Sequence, residues 1–380
     1  MGGVKFWASL SVSVVFANCT TVLEMDQNAL VGTAGPQSGN RQIEQLAIRA
    51  LGRYGLSPAA TVTLINISEN ITYRVDDPAS GGRWALRVHR DGYHSRRAIA
   101  SELAWVRSLK QSGTITTPAP VPGLDGDFIQ TLALDGALPR NVVLFGWEEG
   151  AEPAANDVAG FEKLGETAAR MHAHVKNWSR PPWFERHVWD FETSIGNAPH
   201  WGRWRDGMGM TPEIEAVLAE TVSVIEQRLR GIGKGDAVFG LVHGDMRLAN
   251  LLMDGGKVKV IDFDDCGFSW YLYDCATTVS FFEHETEVPD LIKAWVRGYR
   301  RIGALSAEEE AEIATFVMLR RILLVAWIGS HSETDLARSM GVAYTQGTVP
   351  LCHAYLSRFA SARPFASAGT SKTLWKRIFG

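Results

Sequence analysis

The segment that most constrains this chain is residues 243–265, HGDMRLANLLMDGGKVKVIDFDD. Asp245 is followed five residues later by Asn250, then by the apolar Leu251-Leu252-Met253 and the turn Asp254-Gly255-Gly256. A second apolar run, Lys257 to Phe263, follows the turn. Asp-Gly-Gly between two apolar runs favours a tight reversal, so the segment predicts a hairpin with Asp262 at the end of its second strand. The hairpin returns the Asp262 carboxylate alongside the side-chain oxygen of Asn250. Two hard oxygen donors placed together suit magnesium. Asp245, on the loop before them, can face a hydroxyl group and accept its proton.

Such a site needs a scaffold, and the chain is long enough for two lobes at 380 residues. Arg41 to Arg53 carries Ile43, Leu46, Ala47, Ala50 and Leu51 at helical spacing, and Gly55 closes that helix. Val62 to Asn66, Ile71 to Val75 and Arg83 to His89 alternate as strands, with Ser68-Glu69-Asn70 as a polar tip between the first two. Ser95 to Gln111 predicts a helix, Pro118, Pro120 and Pro122 a connection, and Phe128–Leu132 and Asn141–Phe145 two further strands. Strands, one helix, then strands describe a small α+β lobe over residues 41–147. Residues 148–360 read as a larger helical lobe. Its clearest helix starts at Thr211, an N-cap followed by Pro212, and is expected to stop at Gly231. Ile313 to Ile328 is strongly apolar, but Arg320 and Arg321 interrupt it, which predicts a buried helix rather than a membrane span.

Composition narrows the class. The chain is 46% hydrophobic and 21% charged with a formal net charge of −4, so nothing draws it to nucleic acid or an anionic membrane surface. The four cysteines, Cys19, Cys266, Cys275 and Cys352, have neither CxxC nor metal-ligand spacing, and they read as reduced buried thiols of a cytoplasmic protein. Residues 1–40 read as an N-terminal extension: Phe6 to Ala17 has the length of a signal-peptide core, and Met25 offers an alternative start. Residues 361–380 predict a loose tail. Gly231-Ile232-Gly233-Lys234-Gly235 lacks the Ser/Thr of a Walker loop, and His172 and His174, two apart, point to different helix faces.

Asp245 to Asn250 has the H-x-D-x-x-x-x-N spacing of a kinase catalytic loop, and the segment through Ile-Asp-Phe-Asp-Asp predicts phosphoryl transfer. Over roughly Val62 to Leu356 the chain resembles the aminoglycoside phosphotransferase-like kinases, relatives of choline and homoserine kinases and of the bacterial stress-response kinase. HGDMRLANLL and VIDFDDCGFSWYLYDCA carry the specific part. The resemblance implies an α+β, two-lobed protein-kinase-like fold, with ATP and Mg2+ as cofactors. It implies Asp245 as catalytic base and Asn250 and Asp262 as metal ligands. Asp264 would be an auxiliary metal-site or structural acid, and Asp274 would anchor the catalytic loop. His243 is expected to fix that loop by hydrogen bonding. In the small lobe a glycine-rich loop is missing; Ser68 and Asn70 stand where the family's related loop would contact phosphates. Arg87 replaces the strand lysine, and Glu102, fifteen residues on, is its expected ion-pair partner. The adenine edge is expected near Leu144, Phe145, Gly146 and Trp147.

The acceptor is less legible. Trp270, Tyr271, Tyr273, Phe281 and Phe282 with Glu283, Glu285 and Glu287 form either a pocket for an amine-bearing alcohol or a core cluster beside a solvated acidic loop. Arg320 and Arg321 suit an anionic acceptor, or else pair with acids of the lobe. A small-molecule hydroxyl acceptor, an amino alcohol, an amino acid or an aminoglycoside-like compound, is the leading expectation; a Ser/Thr protein kinase of the stress-response type and a nucleotide-binding pseudokinase are the alternatives.

Overall fold

A computed structural model describes residues 36–68, 70–134 and 138–361, with side chains from Arg41 onward. The expectations for the N-terminal run and for the tail beyond 361 therefore lie outside the described residues, as does Glu69 at the hairpin tip.

The small lobe begins with α1 (Pro36–Arg53) and continues β1 (Thr61–Ile67), β2 (Ile71–Asp77), β3 (Gly82–Val88), α2 (Arg96–Gln111), β4 (Pro120–Val121), β5 (Ile129–Leu132) and β6 (Arg140–Gly146). The strands form one antiparallel sheet in the order β1-β2-β3-β6-β4, with β5 also pairing β6. Period-two alternation explains its two cores. Val142 and Leu144 join Tyr73, Val75, Leu86 and Val88 against Leu46, Ala47, Ala50 and Leu51 of α1. Val143 and Phe145 turn the other way and meet Ile99 and Leu103 of α2. Ser95 caps α2, its hydroxyl accepting from Ala98 N at 3.0 Å. The proline-marked connection contains a strand the sequence does not predict: Pro120 and Val121 pair with Phe145 and Leu144. β4 lies at the end of the strand order, where a missing proline N–H costs the ladder nothing.

The large lobe comprises α3 (Val158–Asn177), α4 (Phe191–Ser194), α5 (Pro212–Ile232), β7 (Phe239–Val242), β8 (Leu251–Asp254), β9 (Lys257–Val260), β10 (Gly267–Trp270), α6 (Leu272–Thr277), α7 (Val288–Arg300), α8 (Ala307–Ser330) and α9 (Asp335–Phe359). Thr211 caps α5 as expected, but the helix runs past Gly231 and ends at Gly233, whose φ of 71° supplies the left-handed stop. α8 has the length and mean hydropathy (1.7) of a membrane span, yet 83% of that window is buried inside the lobe. The fold is α+β, two-lobed and protein-kinase-like: an antiparallel small lobe and a helical large lobe.

Candidate active site

β7 pairs with β10, Val242 opposite Gly267, so the chain between them leaves and re-enters one short ribbon. Everything the sequence singled out in residues 243–265 hangs from that ribbon. Its first turn is fixed from α6. The Asp274 carboxylate accepts from Gly244 N at 2.8 Å, from His243 N at 3.1 Å and pairs with His172 Nε2 at 3.0 Å. Thr277 Oγ1 accepts from Met246 N at 2.9 Å. Gly244 has φ 81°, and a Cβ there would stand 2.7 Å from Asp265 O, so only glycine fits the turn. His243 bridges the loop: one ring nitrogen meets Ile261 O at 3.1 Å and the other Asp245 N at 3.2 Å.

Asp245 is buried, and its Oδ2 accepts from Asn250 Nδ2 at 2.7 Å. The same nitrogen reaches Asp245 O at 2.9 Å, which leaves the Asn250 amide oxygen as the atom able to face a ligand. β8 and β9 form the expected hairpin, Leu251 opposite Val260, and Ile261 N donates to Asn250 O at 3.0 Å. Asp262 is thus the next residue after the partner of Asn250. It lies two residues beyond the end of β9, not within the strand, and its φ is 59°. A left-handed aspartate is locally unfavourable, and packing holds it: Phe263 is buried against Trp105 of α2 and the His243 ring, at centroid distances of 5.3 and 4.5 Å.

Arg87 meets this hairpin from β3. Its guanidinium pairs with Glu102 at 2.7 Å, Asp262 at 2.8 Å and Asp264 at 3.5 Å, and lies 5.1 Å from the Phe145 ring centroid. Burial alone would weaken its charge, but the three carboxylates more than offset that and hold it protonated. Asp262 is 40% exposed, whereas Asp264 is 7% exposed inside a cage of Arg87, His89 and His94. Burial opposes ionisation of Asp264, yet the hydrogen bond from His94 and the Arg87 guanidinium hold its carboxyl well below the usual range. With His94 and Asp265 it brings three potential ligand atoms within 4.8 Å of one another, so both expected roles, auxiliary metal-site acid and structural acid, fit these surroundings.

The nucleotide side is more mixed. Asn70 is buried, and its Oδ1 accepts from Arg90 N at 3.1 Å, so this atom serves the end of β3 rather than a ligand. Ser68, partly buried, ties back through its N–H to Asn70 O at 2.9 Å. Beyond β6 the crossover is strapped to the hairpin: Lys259 donates to Glu149 O at 2.7 Å and pairs with Glu148 at 3.3 Å, while Ala151 N bonds Met253 O at 3.0 Å. The Trp147 indole nitrogen is buried at this crossover with no hydrogen-bond partner among the described residues.

The aromatic-acidic segment divides between core and surface: Phe281 and Phe282 are partly buried, and Glu285 and Glu287 are exposed. Trp270, Tyr271 and Tyr273 are core residues, and Glu283 is buried between Arg321 (2.7 Å) and the Tyr344 hydroxyl (3.1 Å). Arg320 is committed too, to Asp245. Sequence reasoning missed Arg320 as a neighbour of the proposed base; the signal was an arginine pair inside an otherwise apolar helix. It also missed Tyr93 and Trp201, linked to the motif by Tyr93 Oη to Asp265 at 2.6 Å and Trp201 Nε1 to Tyr93 Oη at 3.0 Å.

Comparison with known proteins agrees with this geometry. Residues 61–311 match the phosphotransferase enzyme family. The solved structure of a microcompartment-associated aminopropanol kinase is 40% identical, covers 82% of this chain and 97% of its own, and superposes with a TM-score of 0.77. Amicoumacin kinase of Bacillus subtilis (strain 168) is 23% identical over 305 residues, 77% of this chain and 86% of that protein. An amicoumacin kinase solved with AMP-PNP, Ca2+ and Ami shares the fold at 21% identity, with a TM-score of 0.68 over 85% of this chain and 96% of its own.

Proposed function

Because the chain belongs to the phosphotransferase enzyme family and is a small-molecule kinase, we propose that it transfers the γ-phosphate of ATP to the hydroxyl of a small amino alcohol. The observation that carries the chemistry is the Asp245–Asn250–Asp262 segment: a buried carboxylate held by Asn250 Nδ2 at 2.7 Å, with Asp262, 40% exposed, one residue beyond the Ile261 N–H that donates to Asn250 O at 3.0 Å. Asp245 is the base. Burial opposes its ionisation, but Arg320 and Arg247 outweigh burial and keep it charged, ready to take the hydroxyl proton.

The Asn250 amide oxygen and the Asp262 carboxylate are hard donors that fit magnesium, and Asp262 retains exposure for it. Magnesium held there would neutralise phosphate charge during transfer. Asp264 supports the pair from behind through Arg87. Arg87, oriented by Glu102, supplies the guanidinium for the phosphates; its fork lets it exchange the Asp262 contact for a phosphate oxygen while keeping Glu102. The Ser68 segment covers the phosphates, and the Phe145–Trp147 crossover receives the base, with the unpartnered Trp147 N–H as a spare donor.

The amino-alcohol assignment rests on the 40% identical aminopropanol kinase. The anionic-acceptor alternative loses support because Arg320 and Arg321 are both paired with carboxylates of the lobe. The test is direct: incubate purified protein with MgATP and 1-amino-2-propanol, follow ADP release and identify the phosphate ester by 31P NMR. ADP release that matches ester formation supports the reading. Phosphorylation of none of a panel of amino alcohols overturns the acceptor class.

A further inference from the structure

We propose that Arg320, in the middle of α8, is the positioning residue of Asp245 and sets the direction from which the acceptor hydroxyl approaches. The inference rests on Asp245 being the base.

An ionised carboxylate offers about four lone-pair directions, two on each oxygen. On Oδ2 of Asp245 two are used, by Asn250 Nδ2 at 2.7 Å and Arg247 Nε at 3.2 Å. On Oδ1 the Arg320 guanidinium uses one. The remaining direction therefore belongs to Oδ1, beside Arg320, and that is where a hydroxyl proton can be accepted. Arg320 is itself immobilised. Its Nε donates to Ser280 Oγ at 3.2 Å and Nη1 to Tyr273 Oη at 3.3 Å, while Trp201 lies 5.3 Å from the guanidinium carbon. At 2% exposure it is among the largest fully buried side chains.

Stability does not account for such a residue. A buried ion pair contributes no more than a well-packed apolar replacement in many proteins, and α8 already carries two others, Arg321–Glu283 and Arg228–Glu312. Only the Arg320 pair ends on the catalytic loop. Arg321, one residue on, is equally buried but touches Glu283, Thr348 and Tyr344, so it is a built-in control.

The experiment measures kcat and KM on MgATP with 1-amino-2-propanol, and the slow hydrolysis of MgATP by water alone, for Arg320→Met, Arg320→Lys, Arg321→Met, Asp245→Asn and the double variant Asp245→Asn/Arg320→Met. Misplacement of a reacting group by about 1 Å costs roughly 100-fold, so Arg320→Met is expected to lose about that much kcat with KM for ATP unchanged. Arg320→Lys keeps the charge but not the fork, and is expected to lose about tenfold. Acting through Asp245, Arg320 should matter no further once Asp245 is gone, so the double variant should match Asp245→Asn. Arg321→Met should lose stability while its folded fraction keeps kcat. Wild-type kcat in Arg320→Met or Arg320→Lys, or losses that multiply in the double variant, would overturn the proposal. Should Arg320→Met not fold, Arg320→Lys and its double variant with Asp245→Asn carry the same test. Full turnover in Asp245→Asn alone would instead refute the assigned base. If aminopropanol is not phosphorylated, the acceptor reading fails and the Arg320 series is read on hydrolysis.

Discussion

Asp274→Asn changes one carboxylate oxygen to an amide nitrogen, and the contacts of Asp274 fix what that does. Oδ1 accepts from Gly244 N at 2.8 Å; Oδ2 accepts from His243 N at 3.1 Å and pairs with His172 Nε2 at 3.0 Å. An asparagine has one oxygen. Its better orientation keeps that oxygen on the Oδ2 side and turns its NH2 onto the Gly244 N–H, donor against donor. Two buried donors then lack an acceptor, each costing about 1–3 kcal/mol. The expected destabilisation is therefore roughly 2–6 kcal/mol, a large share of a typical domain's stability. The effect on turnover should be separable, because the Gly244 and His243 N–H groups that Asp274 holds set the path of the chain from β7 into Asp245. Urea unfolding gives the first quantity, and kcat of the folded variant on MgATP and aminopropanol gives the second, expected to fall about 100-fold. An Asp274→Asn variant within about 0.5 kcal/mol of wild type and with unchanged kcat would refute the claim that this carboxylate anchors the loop.

Gly244→Ala should be poorly tolerated, since φ 81° and a 2.7 Å approach to Asp265 O both oppose a Cβ; a loss of at least about 2 kcal/mol by thermal or urea unfolding is expected. Arg87→Met leaves Glu102 buried and unpaired, so stability should drop by about 3–5 kcal/mol and ATP affinity with it, both read in one nucleotide-dependent melting series. Stability should also fall in mild acid. Burial pushes His89 down to about 3 from its ordinary 6.5, so the unfolded chain binds a proton there first. That contribution is full above about pH 6.5 and declines at up to about 1.4 kcal/mol per pH unit as pH falls towards the folded value. A His89→Gln variant with the same pH slope would contradict this origin.

Local spacing and turn chemistry made β1, β2, β3, β5, β6 and the β8–β9 hairpin legible in the sequence, whereas β7 and β10 were not; the roles expected of Asp245, Asn250 and Asp262 came from that spacing together with the family resemblance. Arg87–Glu102 was legible too, as a strand charge and a helix charge fifteen residues apart, and the structure pairs them at 2.7 Å. What escaped depends on long-range packing. β4 escaped because prolines normally end strands, and only its edge position excuses one. The stop of α5 moved from Gly231 to Gly233 because φ, not residue type, decides which glycine ends a helix. The aromatic run after Cys266 admitted both a pocket and a core reading from sequence, with core the stronger; Trp270, Tyr271 and Tyr273 are buried, while Phe281 and Phe282 are partly buried. Arg320 escaped because its partner lies 75 residues away in sequence.

The most direct measurement is turnover of 1-amino-2-propanol with MgATP by the wild-type protein and by Asp245→Asn, with nucleotide affinity measured alongside by calorimetry. The expected result is formation of the phosphate ester by the wild type. In Asp245→Asn, turnover should fall by about 100-fold or more with nucleotide affinity retained. Equal turnover by the two proteins would contradict the assignment of Asp245 as the base.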